Sequence, residues 1–262
     1  MDFDEIIAIM EKIASPALTA EWDNSGVQIN TGKKEIKRIL VALEIINDVI
    51  DEAKKKKADL IITHHPLLFS PLHKVDCSTV VGNYVIELIK AGISVYSSHT
   101  NFDEAEGGNN DYIASLLKLV NIRKFGGNVI GSVGELPEET PFQDVCSHVK
   151  ASLKPEQMNV VGNSETKIRK VGVCSGAGSN QEMIDEAVKL GCEVYITGDV
   201  RYHDARYALE KGLCLIDAGH YGTEKFFVQN LASKLAEMTG SKVEIISSEV
   251  NADPFGNMFR QT

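Results

Sequence analysis

Residues 49–63 and 183–197 align without a gap, and seven of the fifteen positions are identical: Ile50, Asp51, Glu52, Ala53, Lys55, Ile62 and Thr63 match Ile184, Asp185, Glu186, Ala187, Lys189, Ile196 and Thr197. The match continues downstream. Residues 92–99 track 212–220 with one inserted residue, and His99-x-x-x-Asp103 then falls on His220-x-x-x-Glu224. Chance could produce one such match; an ordered series points to duplication. Each copy reads as an amphipathic helix followed by a short, branched, apolar strand, the alternation that builds parallel-sheet α/β units. The copies differ where the strand ends, because His64-His65 aligns with Gly198-Asp199.

The remaining elements fit the same class. Helices are predicted over 3–14, 47–57 (capped by Asn47 or Asp48), 79–90, 111–120, 141–153, 181–190, 204–211 and 223–238. Strands are predicted over 36–43, 58–62, 93–97, 128–135, 157–161, 168–174, 193–197, 213–217 and 242–247. Gly126-Gly127 reads as a hinge. The capping box Ser179-x-x-Glu182 is expected to open the helix at 181. With 262 residues and 43% hydrophobic content, the chain suffices for one large domain or two ordinary ones. Twenty-seven basic and 37 acidic side chains give a formal charge of −10, which opposes nucleic-acid binding driven by net charge. The run Lys54–Lys57 reads as a solvated helix C-terminus, where positive charge is favourable. Five scattered cysteines without a C-x-x-C pair suggest neither a disulfide framework nor a thiolate zinc site, and a reducing, cytoplasmic setting fits. Residues 2–14 are acidic and amphipathic, unlike a signal peptide, and no apolar run is long enough to span a bilayer.

The chemistry gathers at strand ends. Pro66 stops the strand that precedes Thr63-His64-His65, so two imidazoles stand at the carboxyl edge of a sheet, the usual binding position in such folds. Adjacent residues on a strand point to opposite faces, so the pair serves one ion only if the strand has already ended; otherwise each serves its own. His220 and Glu224 are one helical turn apart on one face, and His99 with Asp103 follows a strand end in the corresponding place. Imidazole and carboxylate without thiolate suit Zn, Fe, Mn or Ni. The bland alternative is a set of ordinary surface histidines. Four of the seven histidines follow apolar strands at motif ends, which favours a metal site. His148 and His73 read as structural or solvated. His203 is a candidate for proton transfer or for supporting the ligands, with a buried, hydrogen-bonded histidine as the other reading. Glu21-Trp22-Asp23-Asn24-Ser25-Gly26 reads either as a turn bonding its own backbone or as a pocket lining. Gly176-Ala177-Gly178 could cradle a phosphate, but it lacks the third glycine of a dinucleotide fingerprint and reads better as a tight turn.

Glu21-Trp22-Asp23-Asn24-Ser25-Gly26, Thr63-His64-His65-Pro66, His99-Thr100-x-x-Asp103, Thr197-Gly198-Asp199-x-x-x-His203 and Gly219-His220-x-x-x-Glu224 together resemble the GTP cyclohydrolase 1 type 2 homologue family, also called the NGG-one-interacting-factor-three-like family. The motifs keep the family's order and span nearly the whole chain, down to Asp253-Pro254-Phe255. The resemblance implies two intertwined α/β domains, at about 1–125 plus 215–262 and 126–214, with a dinuclear metal site between them. It also implies a toroidal homohexamer. Carried over by position, the metal ligands would be His64, His65, Asp103, His220 and Glu224, with Glu224 bridging. His64 and His220 would share one ion, and His65 and Asp103 the other. His99 matches a histidine near the centre that is not a constant ligand.

Two dications with only Asp103 and Glu224 as anionic ligands leave about two positive charges uncompensated, which would attract an anion or acidify a water. The expectation is a metal-dependent hydrolase acting on a nucleotide or another anionic small molecule, with His99 or His203 moving protons. The alternative is a non-catalytic metal-binding or regulatory protein, a transcription-factor partner or metal chaperone. Direct nucleic-acid binding is opposed by the charge, and no membrane association is expected.

Overall fold

The computed structural model describes residues 1–126 and 129–255. The chain divides into two compact units, Met1–Ala105 with Phe227–Ala252, and Glu106–Phe226 with residues 253–255. Both are α/β, each with its own sheet. Of the expected hinge, Gly127 lies outside the described residues, as does the first residue of the strand expected over 128–135.

The first unit holds a five-stranded sheet in the order Gly26–Ile29, Ser94–Ser97, Leu60–Thr63, Arg38–Ala42, Glu244–Ser247. All neighbours are parallel except Gly26–Ile29, which runs antiparallel to Ser94–Ser97. Leu60, Ile61 and Ile62 are fully buried, so both faces of the central strand are covered, as its unbroken apolar run requires. Leu40, Ile61 and Val95 pack with Val49, Ala53, Val85 and Leu88 from the helices Asn47–Lys56 and Val80–Ala91. The expected side-chain cap on Asn47–Lys56 is absent: Ile46 precedes the first turn, and Asn47 already belongs to the helix. Asp48 acts instead through its charge in the first turn, close to the positive end of the helix dipole.

The second unit holds six strands in the order Val120–Lys124, Ser132–Pro141, Lys167–Val173, Val194–Thr197, Cys214–Asp217, Asn159–Val161. The middle pairs from Lys167–Val173 to Cys214–Asp217 are parallel and the outer pairs antiparallel. The helix expected over 111–120 runs only over Asn109–Leu116. Lys118 adopts a left-handed φ of 57°, which ends the helix and releases Val120–Lys124 to pair as a strand.

The duplication is visible hydrogen bond by hydrogen bond. Asp59 donates its N–H to Arg38 O and Glu193 donates to Lys170 O, at 2.9 and 3.0 Å. Ser98 donates to Thr63 O and Ala218 to Thr197 O, both at 2.8 Å. The two helix–strand turns pass through left-handed residues, Lys57 at φ 54° and Gly191 at φ 77°. Asp59 Oδ2 accepts the N–H groups of Lys37 and Arg38, and Glu193 Oε2 accepts those of Arg169 and Lys170. One carboxylate in each copy thus ties two parallel strands at their amino ends.

Candidate metal centre

In the first unit the site begins where Leu60–Thr63 stops. His64 and His65 both donate their backbone N–H to the same acceptor, Leu43 O, at 3.0 Å each. Thr63 Oγ1 closes the bend on His65 O at 2.9 Å. Strand alternation has therefore ended, and the two rings lie together, centroids 5.2 Å apart. This meets the condition under which adjacent histidines can share a site.

His64 is fully buried, its ring against Phe227 at 4.9 Å. Its Nδ1 lies 3.0 Å from Ser98 O. A carbonyl can only accept, so Nδ1 carries a proton, and in the neutral ring Nε2 would present a lone pair. That nitrogen is 3.7 Å from Oδ1 of buried Asp103, which sits on the one-turn helix Thr100–Glu104. Two lone-pair donors facing one another at this distance suit a cation beside them. His99 completes the group, its ring 5.0 Å from His64 and 5.8 Å from His65. One ring nitrogen from each of His64, His65 and His99 lies within 4.8 Å of the others. Nitrogen ligands sit about 2.0–2.1 Å from a zinc-like ion, so a small inward shift would let His64 and His65 reach one with the His99 ring beside it.

His99 is itself held. Its Nδ1 is 2.8 Å from Asp23 Oδ1. Asp23 also accepts from Ser25 Oγ, Thr100 N and Thr100 Oγ1, and from Asn24 N. Burial alone would raise the Asp23 pKa, but the hydrogen bonds from His99 and Thr100, the charge of His99 and the Ser25 bond hold it well below the usual carboxylate range. The turn reading of the 21–26 segment holds, and the turn also reaches a distant partner. Asp23 bonds its own backbone neighbour as a turn residue does, and it orients a histidine of the cluster.

In the second unit, Cys214–Asp217 leads through Gly219 to the one-turn helix His220–Glu224. The predicted spacing brings the side chains together, His220 Nε2 lying 2.9 Å from Glu224 Oε2. His220 Nδ1 lies 2.8 Å from Asp199 Oδ2. Burial pulls the His220 pKa down; hydrogen bonds and charge from Glu224 and then Asp199 outweigh it and bring it to about 9. Between two carboxylates the ring carries a proton on Nε2 at neutral pH, where a metal cation would take that proton's place. Two glycines let backbone come close. A Cβ on Gly176 would collide with Glu224 Oε1, and one on Gly198 would lie 2.6 Å from Gly219 C and His220 N. Gly198 occupies the position of His64 in the repeat, so the second copy has no room for that histidine.

The Gly176-Ala177-Gly178 segment serves as a turn: Gly178 N donates to Thr197 Oγ1 at 3.0 Å, and Gly176 N to Thr223 Oγ1 at 2.9 Å. The helix after it, Gln181–Lys189, is capped by Asn180, which accepts from Met183 N. This corrects the expected Ser179 capping box; Ser179 Oγ donates to Asp199 O instead. His203 is exposed on Tyr202–Glu210 with its ring 5.3 Å from that of Tyr202, so it is not the buried histidine of the alternative reading. His148 bonds Leu117 O and is structural.

The two units thus use one device twice. A histidine after the third parallel strand has Nδ1 paired with a carboxylate, Asp23 for His99 and Asp199 for His220, which fixes the ring and directs Nε2 to other work. Asp199 is signalled by its alignment with His65 and by its place in the motif Thr197-Gly198-Asp199-x-x-x-His203, neither of which gives its role. The donor set of imidazoles and carboxylates fits a divalent ion that prefers nitrogen and oxygen.

Comparison with known proteins agrees with this architecture. A protein of Clostridium perfringens named GTP cyclohydrolase 1 type 2 homolog is 36% identical over 261 residues, covering 97% of this chain and 99% of its own. The crystal structure of a Bacillus cereus protein related to NIF3 superposes with a TM-score of 0.91 at 27% identity, covering 98% of this chain and 99% of that one. Reduced HcgD from Methanocaldococcus jannaschii follows at 0.84 and 33% identity, covering 95% and 98%. Among the described residues no helix is long and apolar enough to cross a membrane. The family model described as Duf34/NIF3 (NGG1p interacting factor 3) matches residues 1–254, and the chain belongs to that family.

Proposed function

We propose that His64, His65, Asp103, His220 and Glu224 hold two divalent ions, Zn, Fe, Mn or Ni, with Glu224 bridging, and that the protein is a hydrolase for a nucleotide or another anionic small molecule. The observation that carries the reading is the cluster of His64, His65 and His99, with Nδ1 of His64 and His99 already engaged and one nitrogen of each ring within 4.8 Å of the others. Such ions would polarise an anionic substrate and lower the pKa of a water. The chain's own residues supply the rest. Asp23 fixes the His99 ring through Nδ1 and leaves Nε2 to accept a proton and return it to a leaving group. Asp199 holds His220 in the same way. His99 is preferred to His203 for proton transfer, because His203 stands exposed beside Tyr202. The nucleotide is suggested by the name of the Clostridium perfringens relative. A toroidal homohexamer is part of the proposal and predicts a solution mass of six times 28.7 kDa.

Elemental analysis tests the centre: two equivalents in the wild type, one in His65→Ala and none in Glu224→Ala. Two ions retained by Glu224→Ala would refute bridging, and none in the wild type would refute the centre. Turnover of GTP and a panel of phosphoesters, with each of the four metals, tests catalysis. Two bound ions with no turnover under any metal would leave a non-catalytic metal-binding protein.

A further inference from the structure

Isolated exposed apolar side chains are normal on a protein surface and call for no explanation. Trp22 and Phe69 are not isolated. They are 62% and 53% exposed, and their rings lie 6.2 Å apart. Both rings also meet the ring of His99 edge-on, at 6.0 and 6.4 Å with interplanar angles of 79° and 81°. Two solvent-facing aromatic rings therefore flank the histidine cluster within the first unit.

The segments that carry them are joined by polar groups that have no part in the core. Asn24, two residues after Trp22, donates Nδ2–H to Leu68 O at 2.6 Å. Leu68, the residue before Phe69, donates its N–H to Gln28 Oε1 at 3.0 Å. Gln28 Nε2 returns to Asn24 O at 2.7 Å and closes the loop of bonds. This clasp ties the two ring-bearing segments to each other before any ligand arrives. Preorganisation of this kind removes much of the ordering cost of binding. The carboxylate that orients His99, Asp23, lies between Trp22 and Asn24 in the same turn.

We infer that Trp22 and Phe69 form an aromatic wall for a planar heteroaromatic ring of a small anionic ligand whose charged group is drawn to the metal centre. Rings of this class offer a π-face to an aromatic side chain whatever their substituents, so the wall selects for planarity rather than for one base. The inference rests on the proposed metal-dependent reading and narrows its substrate from any anionic small molecule to one that carries a planar heteroaromatic ring.

The test uses guanosine monophosphate and ribose 5-phosphate, which share the phosphate and sugar and differ in the ring. Calorimetry on the metal-loaded protein is expected to show the nucleotide binding about tenfold tighter or more. Trp22 is the only tryptophan in the chain, so quenching of intrinsic fluorescence by the nucleotide reports on this ring alone. Trp22→Ala and Phe69→Ala should each lose most of the tenfold preference while keeping the metal content of the wild type. Equal affinity for the two probes, binding of neither, or a preference that survives both substitutions would overturn the wall. A Trp22→Ala variant that changes the mass of the assembly and keeps the preference would also overturn it, and would assign the ring to contact between copies. Elemental analysis of the same samples reads the metal centre separately: two ions with no preference for the ring discards the wall and leaves the centre standing.

Discussion

Gly198→Ala is the sharpest test of how the second copy of the repeat is built. The added Cβ would stand 2.6 Å from Gly219 C and 2.6 Å from His220 N. Ordinary carbon contacts are about 3.5–4.0 Å, so the approach is too close by roughly 1 Å. Both neighbours are backbone atoms and neither can rotate away. Relief requires residues 197–198 to part from 218–220, which Ala218 N→Thr197 O holds at 2.8 Å. Overpacking costs about 1–3 kcal/mol and a weakened hydrogen bond about 1 kcal/mol more, so the expected loss is about 2–4 kcal/mol. Urea unfolding of the metal-free protein, followed by circular dichroism, measures it. Trp22 emission reports the first unit alone and helps locate the loss. Gly222→Ala is the control. Its Cβ would meet Pro155 Cβ at 3.2 Å inside a helical turn, and the helix preference of alanine offsets that contact to within about 1 kcal/mol. A Gly198→Ala protein within about 0.5 kcal/mol of wild type would refute the steric account of why this copy lacks its histidine.

Asp59 accepts from the Lys33 ammonium and from the N–H groups of Lys37 and Arg38; burial alone would raise its pKa, but these partners hold it below the ordinary 3.8. Its stabilisation is therefore complete above pH 3.8 and is lost as the pH falls through the folded-state value, so Asp59→Asn should cost about 2–3 kcal/mol at pH 7 and flatten the acid limb of a urea-stability profile. Asp23→Asn turns an NH2 group toward donors and should cost about 2–4 kcal/mol in the same assay; unchanged stability would show that those bonds contribute nothing. Burial pushes the thiols of Cys192 and Cys146 up to about 12 and about 11, and Cys174 and Cys214 are buried, whereas Cys77 is exposed. One equivalent of a thiol reagent should react quickly with the native protein at pH 8 and all five cysteines after unfolding.

The features legible in the sequence are those written in local pattern. The run Ala58–Ile62 fits a strand buried on both faces, Pro66 marks a stop, and the repeat then carries the same helix–strand unit to 183–197. The His220 and Glu224 pairing follows from helical spacing alone. What escapes local reading depends on partners far along the chain. Nothing in Trp22-Asp23-Asn24 announces that His99, 76 residues later, closes on Asp23. Asp199 is set apart by its register against His65 and by the Thr197-Gly198-Asp199 motif, but neither announces that it closes on His220. Capping is missed where several cap-forming residues adjoin, as Ser179 and Asn180 do, because one backbone angle decides between them. The strand Val120–Lys124 is hidden because the periodicity of the preceding helix runs on into it, and Lys118 breaks that helix without the glycine or proline that would signal a break.

The second unit, apart from residues 253–255, is one uninterrupted stretch, whereas the sheet of the first gains its fifth strand, Glu244–Ser247, only after that stretch has been made. Arg38 and Glu244, which pair across the joint, are 206 residues apart. At roughly 5–20 residues per second, a ribosome needs on the order of 10–40 s to bridge that interval. Throughout it the apolar flank of Arg38–Ala42 is an unprotected template for any strand-forming neighbour. Nascent chains of this protein should therefore be most prone to aggregate, and most in need of a chaperone, while their tail is still being translated.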